Sequence, residues 1–482
     1  MPGENRRKIV GVILALLIIG ISLTPQFKAF ITLPEDLHLL EGETQNFYIG
    51  FPVNVYIRSD REGVINLNGL PLSPQVAKVN LGTPLEMEPV QRGEVEVELL
   101  FFGVPVKRMM VNVLPPVKVI PGGHSIGVLL LSHGVIVIGV AAIGEPGTMI
   151  KNPAREAGIT VGDTILRVNG EKIKNVVHLA ELVHEYGRQG EKVQIEYKRG
   201  ATILVSEIEP VLCKETGRYR IGLYVRDGAN GVGTLSFYHP ESGRYGALGH
   251  VITDVETNQP LNVEEGTVVK AVVSGIHKGL KGLPGEKIGI FTQEEDILGD
   301  IEKNTDYGIF GTLYDHIENP YYPEGIPVAL ASQVTPGPAE ILTVLEEDKI
   351  ERYAIEIERV FNQNNPTNKG MVIKIKDPDL IERTGGIIQG MSGSPIIKDN
   401  KLVGVVTHVF VNDPMRGYGV FAEWMLYELG ISPLAQARGD LRIFSSFLFY
   451  RQDYFYIGKN IQAKRKEVIY FAAKTNFGND SR

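Results

Sequence analysis

In this chain of 482 residues, the run Gly390-Met391-Ser392-Gly393-Ser394-Pro395 has the residue types and spacing best suited to chemistry. A glycine two places before a serine allows a turn in which the N–H groups of Gly390 and Ser392 converge on a developing oxyanion, while Gly393 leaves room for a substrate. The chemistry indicated is acyl transfer to the Ser392 hydroxyl, and the glycine spacing favours Ser392 over Ser394. A serine hydroxyl is a weak nucleophile and needs a base within hydrogen-bond reach. Ten histidines are present. His250, in Gly246-Ala247-Leu248-Gly249-His250-Val251, ends a glycine-rich approach; His408 follows the serine and His239 precedes a proline.

These groups must be held by strands. From Arg218 to about Gly430, Val and Ile runs broken by Gly predict strands at Gly231–Tyr238, Thr267–Ile276, Lys287–Phe291, Met371–Ile375, Gly386–Ile388, Pro395–Ile397 and Leu402–Val409. Such a pattern suggests an all-β barrel or sandwich pair. Upstream, Leu33 to Val113 reads as a small β domain with strands at Asn46–Ile49, Val53–Ile57, Val64–Leu67, Val95–Phe102 and Met109–Val113.

At the start, Arg6, Arg7 and Lys8 precede an uncharged run from Ile9 to Leu23. At about 1.5 Å per residue it is short for a span, and basic snorkelling extends it. No small-x-small cleavage site follows, so an uncleaved signal anchor is expected, with the basic residues cytoplasmic and the chain after Pro25 across the membrane.

The formal charge of −8 disfavours a nucleic acid partner, since phosphate neutralisation needs a basic face. A single cysteine, Cys213, excludes an intrachain disulfide and a cysteine zinc site, and reads as a small buried hydrophobe. No HExxH string occurs, and the sequence offers no metal or cofactor site.

Ser125-Ile126-Gly127-Val128 followed by apolar strands, Asn152 to Gly158, the string ITVGDTILRVNG (Ile159–Gly170) and a helical stretch from Val176 to Tyr186 together resemble a bacterial protease-associated PDZ domain. In that reading, the Ser125–Val128 turn receives a peptide carboxylate and the next strand offers an edge for β-augmentation.

The GxSGxP loop resembles the nucleophile loop of chymotrypsin-like peptidases, in which a histidine precedes the serine. Ile221 to Asp254 and Gly385 to Leu426 are similar to the stage IV sporulation protein B family of serine peptidases. The resemblance implies Ser392 as nucleophile, His250 as its partner and Asp377 as the third member. Asp254 is the rival, because it shares a face with His250, though about 13 Å along an extended strand. It further implies a self-cleaving endopeptidase that cuts a membrane regulator of an intramembrane protease, triggering processing of a late sigma factor, in the forespore-derived intermembrane space. A non-catalytic membrane-anchored PDZ scaffold is the competing expectation, and it predicts drift at Ser392 and His250.

The expected fold is mainly β and multidomain. It comprises a cytoplasmic stub and anchor (1–30), a small β-rich domain (31–116), a PDZ domain (117–210), a chymotrypsin-like β-barrel serine peptidase domain (211–432) and a tail (433–482). That tail carries 9 Lys and Arg against 4 Asp and Glu, with 10 Phe or Tyr. Packing, a membrane-surface contact or disorder all suit such a composition.

Overall fold

The computed structural model describes residues 33–432, apart from 34, 51–52, 145–150, 255–257, 262, 291–295, 362 and 364–365, together with scattered positions between 11 and 27. The expected tail lies outside the described residues and the expected anchor largely so. Among the described residues, no helix is long and apolar enough to cross a membrane.

The N-terminal unit is built of two sheets. Asp36–Leu40, Val104–Leu114, Gly93–Phe101, Asn54–Ser59 and Ala77–Asn80 form one, and Gln45–Phe47, Leu85–Pro89, Ile65–Leu67 and Leu70–Pro71 the other. Alternation dictates this arrangement: Val55 and Ile57 point inward from Asn54–Ser59 while Asn54, Tyr56 and Arg58 face solvent. The buried side chains, among them Leu39, Ile65, Leu81, Val97 and Val111, make one apolar core.

From Lys118 to Leu429 the chain forms a second unit organised by two long strands, Ser125–Val140 and Leu223–His239. They pair antiparallel along most of their length, with a register break between Leu131 and Ile136. The Ser132 hydroxyl lies 2.6 Å from the Gly134 carbonyl and 2.8 Å from that of Asp227, sharing its one proton between them at the kink. Beyond it, Val135 and Ile136 pair with Thr164–Val168, which continues through Val193–Arg199 to Thr202–Ile208. The helix Val176–Arg188 buries Leu179 and Val183 over that sheet. Asn175 caps it through the N–H of His178, and Asp227 accepts from the N–H of Val176.

Before the kink the geometry departs from expectation. Ser125–Val128 is not a turn leading into a separate edge strand but the start of the strand Ser125–Val140: it pairs with Gly231–Thr234 on one side, and Ile126–Val128 pair with Val268–Lys270 on the other. A strand hydrogen-bonded on both sides has no free backbone groups for a third, so this segment takes no added peptide strand. The serine-glycine turn signal was local, whereas the two covering strands lie roughly a hundred or more residues downstream.

Six strands then close a barrel in the order Gly337–Val344, Ile350–Val360, Met371–Ile375, Asp413–Phe421, Lys401–Phe410 and Pro395–Lys398. Ile341, Ile355, Ile357, Met371, Ile373 and Ile396 fill it. The expected strand at Gly386–Ile388 is instead irregular backbone after the helix Pro378–Thr384. Gly385 ends that helix with φ 73° and Thr384 donates its hydroxyl to the Gly386 carbonyl at 2.6 Å, so the chain turns and does not extend. Cys213 is half-buried in the hairpin strand Val211–Cys213, not a core residue, and hydrogen bonding to Thr216 holds its thiol below the usual range.

Candidate active site

Ser392 lies between the helix Pro378–Thr384 and the barrel strand Pro395–Lys398, on a loop tied down at nearly every residue. Gln389 donates its N–H to Gly285 (2.8 Å), Met391 to Ile388 (3.1 Å), Gly393 to Val406 (2.8 Å) and Ser394 to Met391 (2.9 Å). Gly390 and Gly393 have φ of 90° and 98°. A Cβ at Gly393 would stand 1.9 Å from the Thr234 carbonyl oxygen, so only glycine fits there.

Two N–H groups stay open. The Gln389 carbonyl accepts from Lys287 N–H at 3.0 Å and the Met391 carbonyl from Ser394 N–H. A trans peptide sets the following N–H on the opposite side, so those of Gly390 and Ser392 turn away from these partners. Neither donates to an acceptor among the described residues.

The two candidate serines differ in access: Ser394 is fully buried, whereas Ser392 is partly exposed. The Ser392 hydroxyl donates to the carbonyl of Thr407 at 2.7 Å.

His250 comes from the other sheet, directly after the strand Arg244–Ala247. Leu248 and Gly249 precede it with φ of 68° and 73°, a reversal that a leucine adopts only under strain. A Cβ at Gly249 would lie 2.9 Å from Thr407 Cγ2, so this turn packs directly on the strand that receives the Ser392 hydroxyl. His250 Nδ1 is 2.8 Å from the Val251 carbonyl, which assigns the proton to Nδ1 and makes Nε2 the basic nitrogen. Burial lowers its pKa from the ordinary histidine value, and the Val251 hydrogen bond works in the opposite direction. His408 stacks beside it with ring centroids 5.0 Å apart, and burial first, then the charge of His250, push His408 down to about 3. His239 is buried elsewhere, with Nδ1 2.8 Å from the Ser242 hydroxyl in a tight turn.

Asp377 is the N-cap of the helix Pro378–Thr384. Its carboxylate accepts from the N–H groups of Asp379 (3.0 Å), Leu380 (3.2 Å) and Ala354 (3.3 Å). These bonds give it the work of fixing the helix that leads into the nucleophile loop. Asp254 is buried at the end of the His250 segment, 3.5 Å from the Arg226 guanidinium.

Sequence reasoning missed Thr234. Its hydroxyl donates to the Gly390 carbonyl at 2.7 Å and its N–H to the Ser392 carbonyl at 3.0 Å, so one residue of the strand Leu223–His239 clamps both ends of the Gly390–Ser392 segment.

A serine hydroxyl beside two open N–H groups, with a neutral imidazole brought by a second sheet, is what acyl transfer to serine requires. Residues 217–426 match the family described as SpoIVB peptidase S55, and residues 126–209 match the PDZ domain family. The chain carries a SpoIVB-type S55 peptidase domain and a PDZ domain.

This S55 peptidase is a serine endopeptidase with protein or peptide substrates, mainly β, joining a PDZ domain to a chymotrypsin-like β-barrel protease domain. It is similar to the PDZ domain of the SdrC-like protein from Listeria monocytogenes, at 24% identity over 19% of this chain and 87% of that one, with TM-score 0.16. The Rv3671c protease from M. tuberculosis in its active form is 16% identical over 42% of this chain and 73% of its own, with TM-score 0.24. Its inactive form is 16% identical over 41% and 84%, with TM-score 0.23.

Proposed function

We propose that this S55 peptidase is a membrane-tethered, self-cleaving endopeptidase working outside the cytoplasm, with Ser392 as nucleophile and His250 as general base. It cuts the exposed part of a membrane regulator and so sets off intramembrane processing linked to sporulation. The observation that carries the chemistry is the pair of open N–H groups at Gly390 and Ser392 on a loop clamped from the second sheet. The family match supports the sporulation setting, and the Arg6-Arg7-Lys8 cluster before the apolar run Ile9–Leu23 supports the tether.

In the reaction, the Ser392 hydroxyl leaves the Thr407 carbonyl and surrenders its proton to His250 Nε2 as Oγ bonds to the scissile carbonyl carbon. The carbonyl oxygen becomes an oxyanion received by the Gly390 and Ser392 N–H groups. His250 then protonates the departing amine, and water repeats the sequence to free the acyl group. Because burial favours the neutral imidazole, His250 is ready as a base at neutral pH. Asp377 is the third member in this reading and also caps the helix that delivers the loop; its rival, Asp254, pairs with Arg226 at the end of the His250 segment.

The test is a cleavage time course of the full chain in detergent, wild type beside Ser392→Ala, read by mass spectrometry for self-trimming and for cuts in a membrane-protein ectodomain. Fragments confined to the wild type establish the activity and map its sites. Identical patterns from two folded proteins would leave a membrane-anchored PDZ scaffold.

A further inference from the structure

Beneath the nucleophile loop lies a lysine that the reaction does not use. Lys287, in the strand Glu286–Ile290, is 5% exposed, and its stem lies against Gly390: a Cβ at that glycine would stand 3.0 to 3.1 Å from Lys287 Cδ, Cβ and Cγ. A buried ammonium without polar partners is costly, and this amine has two. Nζ donates to the Thr343 hydroxyl at 2.7 Å and reaches the Thr234 hydroxyl at 3.5 Å. Thr234 in turn spends its proton on the Gly390 carbonyl at 2.7 Å, so its oxygen faces Nζ as an acceptor. The Lys287 N–H meanwhile holds the Gln389 carbonyl. The peptide groups on both sides of Gly390 are therefore fixed from this one residue, one directly and one through Thr234.

We infer that Lys287 is a positioning residue of the serine peptidase site: with Thr234 it orients the Gly390 N–H that receives the oxyanion. This rests on Ser392 being the nucleophile. Without the amine, the Thr234 hydroxyl is free to turn and the Gly390–Met391 peptide loses its side-chain restraint; the Gln389–Gly390 peptide that carries the donor then hangs on the Lys287 main-chain bond alone, and the donor shifts as the loop relaxes about Gly390. A misplacement of about 1 Å at the donor costs up to about a hundredfold in rate. Burial pushes the amine down to about 7, and both its charged and neutral forms carry N–H donors, so the restraint survives on either side of that pH.

The experiment uses a fluorophosphonate, whose phosphoryl oxygen occupies the oxyanion position as Ser392 Oγ displaces fluoride. The rate of Ser392 labelling in the full chain in detergent is followed by intact mass, so no substrate need be known. Lys287→Met keeps the stem and removes the amine; Thr234→Val removes the hydroxyl, and Thr234→Ser keeps it. The expected result is labelling about ten- to a hundredfold slower in Lys287→Met and Thr234→Val, near wild type in Thr234→Ser, and no slower in the Met/Val double variant than in the worse single one. Wild-type labelling rates in Lys287→Met or Thr234→Val overturn the inference while leaving Ser392 as nucleophile. Slow labelling in Thr234→Ser as well would assign the effect to packing and also overturn it. If the wild type itself is not labelled at Ser392, the underlying assignment of the nucleophile falls instead.

Discussion

The hydroxyl of Ser392 donates to the main-chain carbonyl of Thr407, 2.7 Å away, while the turn carrying His250 packs against the Thr407 side chain. The proposed nucleophile and the turn that carries the proposed base thus both touch Thr407 of the strand Lys401–Phe410, although they come from different sheets. In the proposed reaction the hydroxyl exchanges the Thr407 carbonyl for His250 Nε2 when a substrate is engaged.

Ser392→Ala and His250→Ala each remove a group that moves with the proton. Cleavage should fall by about three orders of magnitude or more in either variant, and the double variant should be no worse than the weaker single one, because the two act as a unit. Circular dichroism should match wild type in both variants, since neither side chain fills the barrel core, so that lost cleavage is not lost fold.

The acid limb of kcat/KM should lie below the ordinary histidine value of about 6.5, because burial lowers the His250 pKa and only the neutral ring accepts the Ser392 proton. The sign for stability agrees. With folded pKa values below the unfolded one, His250 and His408 bind fewer protons when folded, so their cost appears as pH drops below about 6.5 and stability rises with pH through that window. Activity and unfolding midpoints measured from pH 5 to 8 check both statements; an activity limb above 6.5 would count against a desolvated base.

Asp377→Ala should lower stability by about 1 kcal/mol through loss of the helix cap, and Asp377→Asn should restore most of it, since an amide oxygen keeps the bonds from Asp379 and Leu380 though not the one from Ala354. Urea unfolding measures this. The Asn variant also separates capping from charge: a fall in kcat of about four orders of magnitude in a fully stable Asp377→Asn protein would place the carboxylate in electrostatic support of the imidazole.

Gly393→Ala should be among the most damaging single-methyl changes in the peptidase domain. The added carbon would sit 1.9 Å from the Thr234 carbonyl oxygen at a φ of 98°, so the loop must leave the strand that clamps it. Loss of cleavage together with a destabilisation of several kcal/mol is expected. A stable and active Gly393→Ala would show that the loop does not need this contact.

Much of the site was legible because its signals are local. The GxSGxP turn, the glycines before His250 and the PDZ string each need only a few neighbouring residues to adopt their geometry, and the alternation at Asn54–Ser59 or the apolar run at Met371–Ile375 announces a strand in the same way. Gly386–Ile388 misled for a related reason: an apolar run between glycines reads as a strand, yet the helix cap at Gly385 and the Thr384 hydroxyl redirect it.

What the sequence determined is the choice of candidate groups, since a serine hydroxyl, its glycine turn and an upstream imidazole are written as residue types at fixed spacing. Tertiary structure alone decided who holds them and what stays open. Thr234 and Gly390 are 156 residues apart, and Lys287 reaches Thr343 across 56, distances at which a hydrogen bond leaves no periodicity or motif in the chain. The same physics closed Ser125–Val128: whether a strand edge is free depends on which distant strands pair with it, and pairing is a property of the folded sheet.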